Sequence, residues 1–199
     1  MKFSRWLFLI AVAFLAQGSA KLLAQKYTGK PFSATAVTLA TGDEIPIYVD
    51  GQRIRADLRN PQLGTTYDYT LFDRRKEYLF TPSDTKKCTA QAPQEQSVED
   101  AIGTYSWPLA TFQPSATTKV TPLGTARLNG LECALEEVVS TDSSGQTKFK
   151  VWFSKDLGLP LQLQIFTPSG EVSTRPVLKN VHLGPPAPAL LHVPASCGT

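Results

Sequence analysis

Two histidines, three cysteines and three adjacent acidic pairs are the residues of this chain whose types invite chemistry. His182 falls in a strand-like stretch and His192 near the C-terminus. Neither has a carboxylate or a cysteine at metal-ligand spacing, so both read as structural or surface histidines. The acidic pairs are Asp43-Glu44, Glu99-Asp100 and Glu136-Glu137. Neighbours on a strand point to opposite faces, so Glu136 and Glu137 cannot by themselves form an acid/base dyad. The sequence contains no HExxH, CxxC, glycine-rich phosphate loop, EF-hand or GxSxG, the spacings that metal, phosphate and acyl chemistry need. The expectation is a protein that is not an enzyme and has no cofactor, no metal site and no catalytic residue. A hydrolase is the least favoured alternative.

Cys88, Cys133 and Cys197 are the chain's cysteines. In an oxidising compartment three cysteines give one disulfide and one remaining thiol, and three pairings are possible. Cys88–Cys133 is the expected pair, because both residues fall in predicted strands while Cys197 falls in a tail.

Export is expected from the N-terminus. Lys2 and Arg5 precede an apolar run from Trp6 to Ala16, and Ser19-Ala20 supplies small residues for cleavage, the three parts of a secretory signal. The run is short for a bilayer span, which takes about 20 residues. A second possible cut follows Ala24. Leu22-Leu23-Ala24 is followed by Gln25, where a lipid-anchored protein would carry cysteine. The expectation is therefore a soluble product of the periplasm or the extracellular space, without stable membrane insertion and monomeric. Residues 1–20 are read as signal, 21–31 as linker and 32–196 as one domain.

Loss of Lys2 and Arg5 takes the net charge from +3 to +1, which leaves no electrostatic case for nucleic acid. The remaining length suits one domain with a sizeable core.

From Phe32 onward the hydrophobic pattern has period two, the signature of half-buried strands. Ile45, Ile47 and Val49 alternate up to Asp50-Gly51, a tight hairpin signal. Arg53, Arg55 and Asp57 then alternate with Ile54, Ala56 and Leu58. Tyr67 to Asp73 and Glu77 to Phe80 continue this meander. Ser97-Val98-Glu99-Asp100 has capping-box character and starts a short helix towards Tyr105, followed by Trp107, Leu109 and Phe112. Strands resume near 118–128, 131–140, 147–154, 160–167 and 171–182, with Asn129-Gly130, Ser144-Gly145 and Ser169-Gly170 as turns. The tail from Gly184 ends in Leu190-Leu191-His192-Val193-Pro194, an extended apolar segment expected to dock on the sheet. The fold class is mostly β (α+β): a curved antiparallel sheet forming an incomplete barrel, with one or a few short helices covering it.

Several segments resemble the periplasmic lipoprotein-carrier (LolA/LolB-like) superfamily. They are Gly130-Leu131-Glu132-Cys133 and the strand–turn–strand from Lys150 through Trp152-Phe153-Ser154-Lys155-Asp156-Leu157-Gly158-Leu159-Pro160-Leu161. Gly51-Gln52-Arg53-Ile54-Arg55, Asp73 to Tyr78, Asn180 to Gly184 and Leu191 to Pro194 are similar to further parts of its pattern. The resemblance spans roughly residues 32–196. It implies an unclosed β-barrel with an apolar cavity that accepts acyl chains. The expected function is an exported soluble binding or carrier protein for an apolar ligand, such as lipid or lipoprotein acyl chains. The alternative is an envelope structural or protein-interaction module of the same fold without ligand. Ile54, Tyr69, Leu71, Trp107, Phe112, Val151, Phe153 and Leu163 are the expected cavity lining.

Overall fold

The computed structural model describes residues 27–38, 42–59, 67–73, 76–81, 84–92, 118–142, 145–166, 170 and 172–197. The export segment, the helix expected after Ser97, and Trp107 and Phe112 lie outside these residues.

Among the described residues, alternation along the chain is realised as twelve strands in two sheets. β1 (Phe32–Val37), β2 (Glu44–Asp50), β3 (Arg53–Arg59), β4 (Tyr67–Asp73), β5 (Lys76–Thr81) and β6 (Asp84–Gln91) lie side by side in chain order. β7 (Thr118–Leu128), β8 (Leu131–Asp142), β9 (Gly145–Ser154), β10 (Pro160–Phe166) and β11 (Val172–Pro176) form the second sheet, again in order. β12 (Leu178–Leu183) returns to the free side of β1. Each pairing is antiparallel.

The turn residues explain the registers. Leu128 pairs with Leu131 across Asn129-Gly130, both at positive φ (51° and 82°). A two-residue loop of this kind matches the strand twist, and only Asn, Asp or Gly adopts it readily. Asp50 pairs with Arg53 across Gly51-Gln52, where Gly51 takes the positive φ (58°).

Residues 171–182 are not the single strand the alternation suggests. Val177 breaks the run, and the chain passes from one sheet to the other there. Pro176 pairs with Gln162 on β10, and Leu178 pairs with Ala36 on β1. Proline has no N–H to continue a ladder. Val177 stitches the sheets instead: its N–H donates to Leu161 O at 2.9 Å, and its carbonyl accepts from Val37 N–H at 3.0 Å. The two sheets thus form one bent wall. Its edge strands, β6 and β7, do not pair with each other among the described residues, so the wall is an unclosed barrel.

One apolar cluster fills the inside of the bend. β1 contributes Phe32, Ala34 and Ala36, β2 contributes Ile45, Ile47 and Val49, and β3 contributes Ile54 and Ala56. From the second sheet come Val138, Val151, Phe153, Leu161 and Leu163. Full burial of an Ile, Leu or Phe side chain contributes about 1.5–3 kcal/mol, so this shared cluster is what holds the sheets against each other.

The Ser154–Pro160 turn plugs one end of the core. Leu157 and Leu159 are buried, Ser154 Oγ accepts from Leu157 N–H at 3.2 Å, and Gly158 N–H donates to Ser154 O at 2.8 Å. Residues 27–31 dock on this turn. Thr28 N–H donates to Leu157 O (3.0 Å), Lys30 Nζ lies 2.7 Å from Asp156 Oδ1, and Tyr27 is buried with its ring edge-on to Phe32.

The expected Cys88–Cys133 disulfide is not formed. Cys88 is bonded to Cys197, with Cα atoms 4.7 Å apart, and Cys133 is a buried free thiol. The cause is the course of the C-terminal tail. It does not fray, and it is not simply extended. It crosses the outer side of the first sheet through two 3-10 turns, Pro188–Leu191 and Ala195–Cys197. Leu191 and Cys197 are buried there against Phe80, with Tyr48, Tyr78 and Val193 packed around them. That cluster carries Cys197 to β6, whereas Cys133, on β8, is buried as a member of the main apolar cluster.

Candidate functional site

The inner side of the bent wall carries the shared apolar cluster, and β8–β10 supply its half from the second sheet. On β8, Ala134, Glu136 and Val138 point inward. Register aligns Glu136 with Val151 on β9 and with Pro122 on β7, and Val151 with Leu163 on β10. Phe153 stands opposite Ala134. The outward positions have the other composition. Glu137 pairs with Lys148 at 2.5 Å, Lys150 lies 5.4 Å above the Trp152 ring, and Lys148 lies 5.5 Å above that of Phe166. The wall is therefore apolar inside and charged outside across β8–β10.

Ile54, Val151, Phe153 and Leu163, expected from the sequence as lining, are all in the shared apolar cluster. For Tyr69 and Leu71 the register of β4 is described. It sets Tyr69 across from Asp57 and Phe80, and Leu71 across from Arg55 and Tyr78. A cleft of about 290 Å³ opens at the seam between the sheets, lined by Val37, Thr38, Ser173, Arg175, Pro176 and Lys179. Among the described residues no group of three or more His, Cys, Asp or Glu could hold a metal ion, and no helix is long and apolar enough to cross a membrane.

Strand alternation separates Glu136 from Glu137 but by itself assigns Glu136 no role. Its side chain is inward and 1 % exposed, and neither carboxyl oxygen has a hydrogen-bond partner. Burial pushes its pKa above the ordinary 4.5, because removing water disfavours the charged form. The signal that could have found it is the period-two register with Ala134 and Val138, which places a carboxyl in an otherwise apolar row.

Such a group should weaken the fold. Glu136→Leu is expected to stabilise the protein by about 1–3 kcal/mol at neutral pH, the usual cost of a buried unsatisfied polar group. The sign with pH follows from the raised folded pKa. Between the ordinary value and the folded one, only the native state holds the proton, so the parent loses stability as pH rises. The advantage of the variant should grow through that window and then level off. Urea midpoints at several pH values measure it, and a Glu136→Leu protein less stable than the parent at neutral pH would refute it.

Comparison with known proteins finds likeness only among solved structures. No family model matches the chain, and no curated protein matches it. MucB is 18% identical, with a TM-score of 0.48, over 92% of this chain and 64% of that one, so this chain spans less than two thirds of MucB's length. LprF from Mycobacterium bovis is 16% identical (TM-score 0.44; 93% of this chain, 96% of that one). A LolA superfamily protein from Nitrosomonas europaea is 16% identical (TM-score 0.30; 77% and 74%).

Proposed function

We propose that the protein is an exported carrier or binding protein for an apolar ligand with acyl-type chains. The observation that carries this reading is the unclosed wall, whose two sheets turn one continuous apolar face inward. Barrels of this kind hold apolar ligands on their inner side without special catalytic residues. The sequence segments around Trp152 to Leu161 and Gly51 to Arg55, similar to those of lipoprotein carriers, support the same reading. Export belongs to it as well. The Cys88–Cys197 disulfide supports an oxidising compartment, since such bonds persist there and are rare in the cytosol.

The test is organic extraction and native mass spectrometry of the full protein purified from the exported fraction, with titration of an acyl-chain fluorophore. The expected result is a co-purifying apolar species, or saturable uptake of the fluorophore at about one site per chain. Neither species nor uptake would reject the carrier reading and favour a protein-interaction module built on the same wall.

A further inference from the structure

We propose that Glu136 is the polar anchor of the inner wall, and that its carboxyl group receives the hydrogen-bond-donating head, a primary amine, of a ligand whose chain lies along the apolar face. The proposal rests on the carrier reading above and narrows the ligand to a long-chain amine.

Level with Glu136 in the register are Val151 on β9, Leu163 on β10 and the exposed Pro122 on β7, and one step along are Val138 on its own strand and Val120 on β7. None of these side chains has a hydrogen to donate. The charged groups next to it along the strands, Glu137 and Lys150, stand opposite each other in the register on the outer side, where Glu137 meets Lys148. The carboxyl thus lacks a partner on both oxygens and lies in the row that any chain along β8–β10 would cross.

Native folds satisfy nearly all buried polar groups, and each exception calls for an explanation. A buried carboxyl in a dry wall is also a selective receptor. When ionised it only accepts hydrogen bonds, and an ammonium head would supply both donors and the opposite charge, the stronger kind of bond. A carboxylate head would bring like charge and no donor. A trimethylammonium head would bring charge without donors. Such a site rejects the analogue that leaves its buried group unpaired. At 1 % exposure the carboxyl has no open channel to solvent, so the head reaches it only as the overlying side chains move aside.

The experiment is isothermal titration calorimetry of the full protein with dodecylammonium, dodecyltrimethylammonium and dodecanoate, each below its micelle concentration, on the parent, Glu136→Leu and Glu136→Gln. The parent is expected to bind dodecylammonium at least about tenfold more tightly than the other two, the equivalent of one net hydrogen bond. In Glu136→Leu the three ligands should converge on one affinity. In Glu136→Gln, which keeps an acceptor but no charge, the preference should shrink without vanishing. Near-ultraviolet circular dichroism confirms that both variants are folded. Equal affinities in the parent, or an ammonium preference that survives in Glu136→Leu, would overturn the anchor and leave the carrier reading standing. If none of the three binds the parent, the carrier reading fails and the anchor with it.

Discussion

Removing the Cys88–Cys197 disulfide is expected to cost about 4–5 kcal/mol of stability. The two residues are 109 apart in sequence, and closing a loop of that size restricts the unfolded chain by about this much in the chain-entropy account. For a domain of this length the midpoint of thermal unfolding should fall by roughly 10–15 °C. Cys88→Ser, Cys197→Ser and the double variant should be equally affected, since each loses the same single bond. The loss should also be felt locally. Without the bond, the tail is held by Leu191 and Val193 on Phe80, Tyr48 and Tyr78, and by the Arg55–Leu190 hydrogen bond. Amide exchange over residues 188–197 should therefore accelerate more than exchange in β1, β2 or β9. Cys133 provides the control: as a buried thiol it should react with thiol reagents only after unfolding, and Cys133→Ala should leave the oxidised protein's tail protection unchanged. A non-reducing peptide map that joins Cys88 to Cys133, or three variants that differ in stability by several kcal/mol, would contradict this account.

The same tail marks the limit of what could be read in the sequence. Local signals were legible because local geometry imposes them. Period-two alternation identified β2, β3, β9 and β10, and Asn129-Gly130 identified its hairpin, since few residues adopt positive φ. The turn from Ser154 to Pro160 was equally visible. What failed depended on contacts distant in sequence. Pro176 and Val177 look like ordinary strand residues, and only the position of Leu161 and Val37 makes Val177 a junction. Cys197 was passed over as a tail residue, because nothing near it in sequence announces that Leu191 will be buried on Phe80. Of the residues expected as lining, Ile54, Val151, Phe153 and Leu163 are members of the apolar cluster, and their inward parity was legible from alternation. Glu136 was placed on a face but not recognised, since a glutamate in a strand is usually outward and its burial is decided by β7, β9 and β10 together.

Arg55→Met is expected to cost about 3 kcal/mol or more at neutral pH, although it keeps an unbranched apolar stem in place of arginine's. The reason lies in what arginine covers on the outer side of β3. Arg55 is 8 % exposed. Its Nε donates to Asp57 Oδ1 at 2.6 Å, its Nη1 donates to Leu190 O at 3.2 Å, and its guanidinium lies 5.9 Å from the Tyr48 ring centroid. Asp57 is two residues along the same face, with its side chain 13 % exposed. Burial already raises the Asp57 pKa, and the Arg55 hydrogen bond and charge counter that rise. Taking Arg55 away leaves a buried carboxylate without its cation, a change that typically costs 3–5 kcal/mol. The pH dependence gives the mechanism away. In Arg55→Met the folded pKa of Asp57 rises further above its ordinary 3.8, so the native state holds a proton that the unfolded state has released. Stability of the variant should then fall as pH rises through that window, and the deficit against the parent should shrink at acid pH, where Asp57 is protonated in both states. Replacing the partner as well should repair much of the damage, because an apolar pair of similar volume can substitute for a buried ion pair. Arg55→Met/Asp57→Leu is therefore expected to be more stable than Arg55→Met alone. A deficit that is the same at pH 4 and pH 7, or a double variant no better than the single one, would show that the Arg55–Asp57 pair is not what holds this face under the tail.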